Sequence, residues 1–391
     1  MSAARIASRV AQLRPSGIRA IMALASEREA KGEPVLHLEV GQPDFPVPSH
    51  VREAVADGVR SGLPGYTPNL GMPELRAAIA ERTYERTAIK TAPANVAVTT
   101  GAVNALSLAI LAMIEPGDEV IVPDPGWPNY ESAIALAGGV PVPIQLDPSR
   151  GFAMSREALE AVMTPRSRMI MTNSPGNPTG AVAGRAELEA VCDIADTHDL
   201  LVLSDEIYED FVFDGQYISA REVCDPARVI VVSGASKSYA MTGYRLGWLI
   251  ADAGIVDAVG ALVEPLTSCP SSVAQVAALH ALQGPQDDVA EMRAAFHRRA
   301  GLVEDRLQGA DMLVAPAQGA FYVMADISGA GLDSDTFAEA LLRDTGIAVA
   351  PGATFGDTSR AWVRLSVATD DETVRRGVES LVKYVRERTG S

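Results

Sequence analysis

The stretch Val229-Ile230-Val231-Val232-Ser233-Gly234-Ala235-Ser236-Lys237 decides how this chain is read. An uninterrupted apolar run of this length is a strand buried on both faces, the kind that parallel sheets use. Small residues then stop it, and a lysine follows. The same layout occurs twice upstream. Leu200 to Ser204 runs into Asp205-Glu206-Ile207-Tyr208, and Arg168 to Asn173 runs into Ser174-Pro175-Gly176-Asn177-Pro178-Thr179-Gly180. Each polar cluster alone reads as a turn or a solvated charge. Three of them following three buried strands read as one site at one edge of a sheet.

Working outward, strands alternate with helices. Helices are expected over Ser49 to Gly62, capped by Ser49 with Val51, Val55 and Val59 on one face, over Tyr130 to Ala137 and over Arg185 to Asp199. Another follows Gly101, with Ala105, Leu106, Ala109 and Ile110 inward. Further strands are expected at Val96 to Thr100, Asp118 to Pro123 and Val140 to Leu146. Helix-length connections imply parallel pairing, so the expected fold class is α/β, a mostly parallel doubly wound sheet. Past about residue 285 the order changes to a long helix (Asp287 to Leu307), a strand (Ala320 to Asp326), a helix (Thr336 to Asp344), strands near Ile347 and Trp362, and a last helix. A smaller α+β domain is expected there. The boundaries read as 46–285 for the large domain, and 1–45 with 286–391 for the small domain and its N-terminal arm.

Composition removes several classes of function. The 391 residues correspond to two or three domains of about 150 residues each. With 33 Lys and Arg against 50 Asp and Glu, the net charge of −17 leaves no overall basic field for nucleic acid or an anionic membrane. The longest apolar stretch, Leu106 to Ile114, falls short of the roughly 18 residues of a membrane span. Cys192, Cys224 and Cys269 lie far apart and the five histidines are scattered, so neither a disulfide framework nor a metal site is expected. A reducing, cytoplasmic setting fits that cysteine usage. Arg5, Arg9, Arg14 and Arg19 superficially resemble a transit peptide, but the segment runs without a cleavage-like break toward Gly41 and is read as mature structure.

The chemistry follows from residue types at strand ends. Lys237 is hedged by small residues, and an amine in a tight, desolvated pocket loses its proton easily, as a covalent lysine must. Arg245 and Ser236, with the amides of the Gly101-Ala102-Val103 turn that opens a helix, would cradle a phosphate. Asp205 is placed to keep a pyridine nitrogen protonated, and Asn177 and Tyr208 to bond a ring oxygen. The composite points to pyridoxal 5'-phosphate.

At this level the chain resembles the class I/II pyridoxal-phosphate aminotransferases of fold type I. The resemblance is carried by Gly41 in Val40-Gly41-Gln42-Pro43-Asp44-Phe45, Tyr66 in Tyr66-Thr67-Pro68-Asn69, Asn177-Pro178-Thr179-Gly180, Ser204-Asp205-Glu206-Ile207-Tyr208, Lys237, Arg245, and Arg364 in Val363-Arg364-Leu365-Ser366. It spans Pro15 to Val385. It implies that Lys237 carries the cofactor and shuttles the substrate's proton, while Asp205, Tyr208 and Asn177 hold the ring and Trp127 stacks on it. It further implies that Gly101, Ala102, Val103, Ser236 and Arg245 bind phosphate, with Tyr66 supplied by the partner in a homodimer. Arg364 would clamp the substrate carboxylate beside Asn177, Trp127 and the Gly41 amide. By themselves Trp127 and Tyr66 are ordinary core or surface aromatics and Arg364 a salt-bridged strand arginine; their joint order favours the functional roles.

Two departures stand out. Val103 occupies the place where aspartate-specific relatives carry a lysine, which favours neutral or aromatic donors alongside aspartate. Gly234 stands where many relatives place a phosphate-binding serine, leaving Ser236 and Ser233 to compensate. The expected activity is transfer of an amino group from an L-amino acid to pyruvate or 2-oxoglutarate. The alternatives are a β-eliminating lyase of the same fold and an aminotransferase-like effector domain, which needs a DNA-binding domain ahead of Gly41. A nicotinamide dehydrogenase is disfavoured because no G-x-G-x-x-G follows the first strand.

Overall fold

The computed structural model describes residues 6–11, 13, 16–63 and 65–389. Arg5, Arg14 and Pro15 lie outside the described residues. The strands are β1 (Leu36–His37), β2 (Val96–Thr99), β3 (Glu119–Asp124), β4 (Val140–Gln145), β5 (Ser167–Asn173), β6 (Leu201–Asp205), β7 (Val229–Gly234), β8 (Gly247–Ile250), β9 (Tyr322–Asp326), β10 (Ile347–Ala348), β11 (Ala350–Pro351) and β12 (Trp362–Ser366). Seven of them form one sheet in the order β2-β8-β7-β6-β5-β3-β4.

From β4 to β7 every pairing is parallel. The sequence reading missed β8, a strand of only four residues that is antiparallel to both β7 and β2. Its direction has a local cause. Residues 235–246 hold one short helical turn (Ala235–Ser238) and one 3-10 turn (Thr242–Tyr244), with no helix to carry the chain back over the sheet. Without that crossover the chain returns beside β7 in the opposite sense. The C-terminal ends of β2, β3, β5, β6 and β7 therefore share one edge.

Alternate residues of the strands enter two different apolar layers, as a sheet covered on both faces requires. Ala97, Val120, Met171, Leu203 and Val232 pack with the helices Ala102–Met113, Asn129–Ala137 and Ala253–Thr267. Val98, Ile121, Ile170, Val202 and Val231 face the other way, toward the helices Pro73–Thr87, Arg185–Thr197 and Ser272–Gln283. That second layer continues without a break into Phe296, Phe321, Val323, Phe337 and Val363. There β11, β12 and β9 form a separate antiparallel sheet, and β1 pairs in parallel with β10.

Two local expectations are corrected. Cys192 and Cys224 form a disulfide with sulfurs 2.00 Å apart, and only Cys269 is free among the described residues. A separation of 32 residues hid the pairing, because the helix, β6 and the loop behind it fold the chain back on itself. The helix Ser49–Ser61 begins after Pro48, with Ser49 inside it making no capping bond, and Val59 is exposed while Val51 is buried. Among the described residues no helix is long and apolar enough to cross a membrane.

Gly247 lets β8 press against the start of the helix Ala102–Met113. A Cβ there would lie 2.3 Å from the Ala102 nitrogen and 2.6 Å from the Gly101 carbonyl carbon. Both are backbone atoms that cannot swing aside, so Gly247→Ala should destabilise the protein by about 1–3 kcal/mol, read as a lower urea midpoint with an unchanged slope.

Candidate active site

The shared strand edge closes against β12 around a cavity of about 320 Å³. Lys237 enters it from the single helical turn after β7, and its Nζ donates to the Gly41 carbonyl at 2.6 Å. Burial, reinforced by the Arg364 and Arg245 guanidinium charges, pulls the ammonium down to about 8, with Asp205 acting in the opposite direction. Lys237 is thus the amine in this cavity that can be neutral near physiological pH.

Asp205 ends β6 and is buried. Its Oδ2 accepts from the Tyr130 hydroxyl at 2.8 Å and its Oδ1 from the Ile207 amide at 3.3 Å. Burial raises the carboxyl to about 6, against the lowering effect of those two bonds and of Lys237. The Tyr208 hydroxyl meets that of Tyr322 at 2.9 Å. Asn177 follows β5, its amide donating to Asn173 Oδ1 at 2.7 Å, while Asn173 Nδ2 donates to the Asp205 carbonyl at 2.9 Å.

Arg364 reaches the cavity from β12. One nitrogen, Nη1, donates to Asn177 Oδ1 at 2.9 Å, and Nη2 donates to the Glu39 carbonyl at 2.5 Å. Its guanidinium carbon lies 4.2 Å from the Tyr322 ring centre and 4.8 Å from that of Phe355. These partners are neutral, and Nε is buried without a partner among the described residues. A guanidinium held in place yet without an ion pair is suited to take a carboxylate.

Another part of the cavity wall carries groups suited to an anion. Gly101, with φ +92°, turns the chain from β2 into the helix Ala102–Met113, whose first amides lack helical partners. The Arg245 guanidinium packs so close that a Cβ on Gly101 would lie 2.6 Å from Nη2. Ser236, Ala102, Val103 and Trp127 also line the cavity.

Several expectations change in detail. Gly41 presents its carbonyl to Lys237, and a Cβ there would fall 2.0 Å from the Tyr322 hydroxyl. Ser233 cannot stand in for a serine at 234, because its Oγ bonds Glu209 Oε1 at 3.1 Å on the far side of the strand. Gly234 has its own reason, since a Cβ would come within 2.9 Å of Gly247 Cα. Tyr66 lies outside this cavity and is 90% exposed in the single chain. Tyr130, Tyr322, Phe355 and Glu39 were missed. Only Tyr130, three residues past Trp127, carried a positional hint. The others reach the site through folding.

Tyr130 is a positioning group for Asp205: its hydroxyl stabilises the ionised carboxylate. Removing it raises the Asp205 pKa further, so Asp205 gains its proton at a higher pH as pH falls. Tyr130→Phe should therefore move the acid limb of the kcat/KM profile upward, and should lower kcat/KM roughly tenfold at neutral pH, the scale of one bond to a charged group. A superimposable pH profile would refute the role.

The family model described as aminotransferase class I and II matches residues 33–381. The aspartate/prephenate aminotransferase of Cereibacter sphaeroides is 40% identical over 94% of this chain and 95% of its own length. Aromatic-amino-acid aminotransferase 2 of Thermococcus litoralis is 34% identical over 98% of this chain and 99% of its own. The solved aspartate aminotransferase of Thermus thermophilus with maleate superimposes with a TM-score of 0.93 at 36% identity, covering 97% of this chain and 99% of that one. By fold and sequence this chain belongs to the aminotransferases of class I and II, and its chemistry is amino-group transfer.

Proposed function

We propose that the cavity binds pyridoxal 5'-phosphate and that the protein moves the amino group of an L-amino acid to a 2-oxo acid, pyruvate or 2-oxoglutarate. The observation that carries this is the position of Lys237. It shares one cavity with a buried acid, Asp205, and with Ser236, Arg245 and the start of the helix Ala102–Met113, the groups suited to cradle an anion. The residues fit the cofactor end for end. Asp205 would face the ring nitrogen, Tyr208 and Asn177 the ring oxygen, Trp127 the ring face, and the amides of Ala102 and Val103 the phosphate. When bound, the cofactor supplies the electron sink and carries the amino group between the two half-reactions.

The chain's own residues do the rest. Arg364 binds the substrate α-carboxylate through its planar fork and so orients the α-carbon. Lys237 Nζ, its pKa lowered by burial, takes the proton from that carbon and returns it when the acceptor is aminated. Asn177 holds the guanidinium in register. Tyr208, which lines the cavity, has its hydroxyl held by that of Tyr322.

The division into a large domain, 46–285, and a small one, 1–45 with 286–391, is proposed as well, supported by the separate sheet β11-β12-β9. A homodimer is proposed because Tyr66 is exposed and does not line its own chain's cavity, which leaves it free to serve a partner's. A cytoplasmic location belongs to the same proposal, carried by the small-molecule chemistry rather than by the cysteines, two of which pair. For donors we propose neutral or aromatic amino acids and aspartate, the latter two in keeping with the names of the relatives. Val103, at the cavity, offers a distal carboxylate no charge.

Two outcomes test this reading. Borohydride reduction of the protein incubated with pyridoxal 5'-phosphate should fix the label on Lys237 alone, and Lys237→Ala should lower transamination roughly a thousandfold or more. Label on another lysine would overturn the assignment. Val103→Lys should raise kcat/KM for aspartate relative to the best neutral donor roughly tenfold; an unmoved ratio would show that a distal carboxylate is read elsewhere.

A further inference from the structure

The residue whose carbonyl holds Arg364 also carries a fully buried acid. Glu39 is 0% exposed, its Oε1 is bonded to His37 Nδ1 at 2.8 Å, and its Oε2 has no partner among the described residues. On its other side His37 Nε2 meets Glu29 Oε1 at 3.1 Å. Glu29 ends the helix Gly17–Glu29, whose Ile18 and Met22 line the cavity. The strand between the two groups is pinned from both sides. Leu38 donates to Ala348 O at 2.9 Å and accepts from the Ser366 amide at 2.7 Å. Glu39 therefore cannot drift from the guanidinium that its carbonyl holds. Its charge acts on Arg364 without forming an ion pair with it.

A negative charge at this place has two opposite effects. It offsets the cost of burying the guanidinium in the empty site, and it repels the carboxylate that the guanidinium must take up. The imidazole of His37 decides the balance. Its two ring nitrogens both face carboxylates, an arrangement that favours the doubly protonated ring; those bonds raise it to about 9, with burial opposing.

We propose that His37 and Glu39 form a charge-compensated pair that sets the affinity of Arg364 for substrate carboxylates, His37 cancelling the repulsion that Glu39 would otherwise exert. Both are positioning residues; neither touches the reacting atoms. The inference rests on the reading of Arg364 as the carboxylate anchor, and it concerns every donor and acceptor alike, since all of them share that group.

A double-mutant cycle tests it on the full-length enzyme with cofactor added. His37→Gln should raise KM for all amino and oxo acids, and the dissociation constant of 3-phenylpropionate, by roughly three- to tenfold, the scale of one uncompensated charge at medium range. Its kcat should stay within about twofold, because proton transfer does not involve the pair. Glu39→Gln should leave these constants equal to or below those of the wild type. In the double variant they should match Glu39→Gln, since without the acid there is nothing for His37 to cancel. Additive losses in the two single variants, or a rise in KM for Glu39→Gln, would mark the pair as ordinary packing and overturn the proposal. If His37→Gln folds poorly by circular dichroism, the sign of the Glu39→Gln change decides alone. Arg364→Lys checks the anchor separately: it should lose 3-phenylpropionate binding and transamination that the wild-type enzyme shows. Normal turnover with an unaffected Arg364→Lys would sink the anchor reading, not the aminotransferase assignment.

Discussion

A buried amine held among two guanidinium groups and one carboxylate is the constraint on which the rest of this protein depends. Lys237 can reach the site only from the end of β7, and Asp205 only from the end of β6. Arg364 comes from a different sheet altogether. Burial and the two arginines lower the lysine, burial raises the aspartate, and each moderates the other. Two ionisable groups pushed toward each other's range in one cavity make proton transfer near neutral pH possible.

The parallel sheet is what brings these groups to one place. Parallel strands point their C-terminal ends the same way, so Gly101, Trp127, Asn177, Asp205 and Lys237 emerge along one edge although they are spread over more than a hundred residues. The antiparallel β8 adds to this arrangement. Its glycine permits the contact that sets the start of the helix Ala102–Met113 beside Arg245. The closeness of Arg245 to the helix start is therefore a packing consequence of Gly101 and Gly247 as much as of the charged side chain.

Arg364 shows how the two sheets cooperate. Its plane is set by Tyr322 and Phe355, and its nitrogens by Asn177 and the Glu39 carbonyl. Phe355 in turn accepts the Gly126 amide at 2.8 Å, tying the Trp127 loop to the same unit. Arg364 and the Trp127 loop are thus tied to one another through Phe355. A buried, unpaired cation is costly, and aromatic faces and neutral acceptors offset part of that cost.

Much of this was legible in the residues. Continuous apolar runs ending in small polar clusters identify buried parallel strands, because only strands covered on both faces dispense with alternation. The order of Asn177, Asp205, Lys237, Arg245 and Arg364 pointed to amino-group transfer, because it matches the pattern of the class I and II aminotransferases, the family to which the chain belongs. The tertiary structure alone decided the partners. Tyr130, Tyr322, Phe355 and Glu39 act through neighbours far away in the chain, and an aromatic or an acid at such a position has no local signature. The pairing of Cys192 with Cys224, the reversal at β8 and the turning of Ser233 away from the cavity were likewise invisible. Side-chain direction and through-space contact depend on which strands end up adjacent, whereas hydrophobic period and residue chemistry are written position by position in the chain.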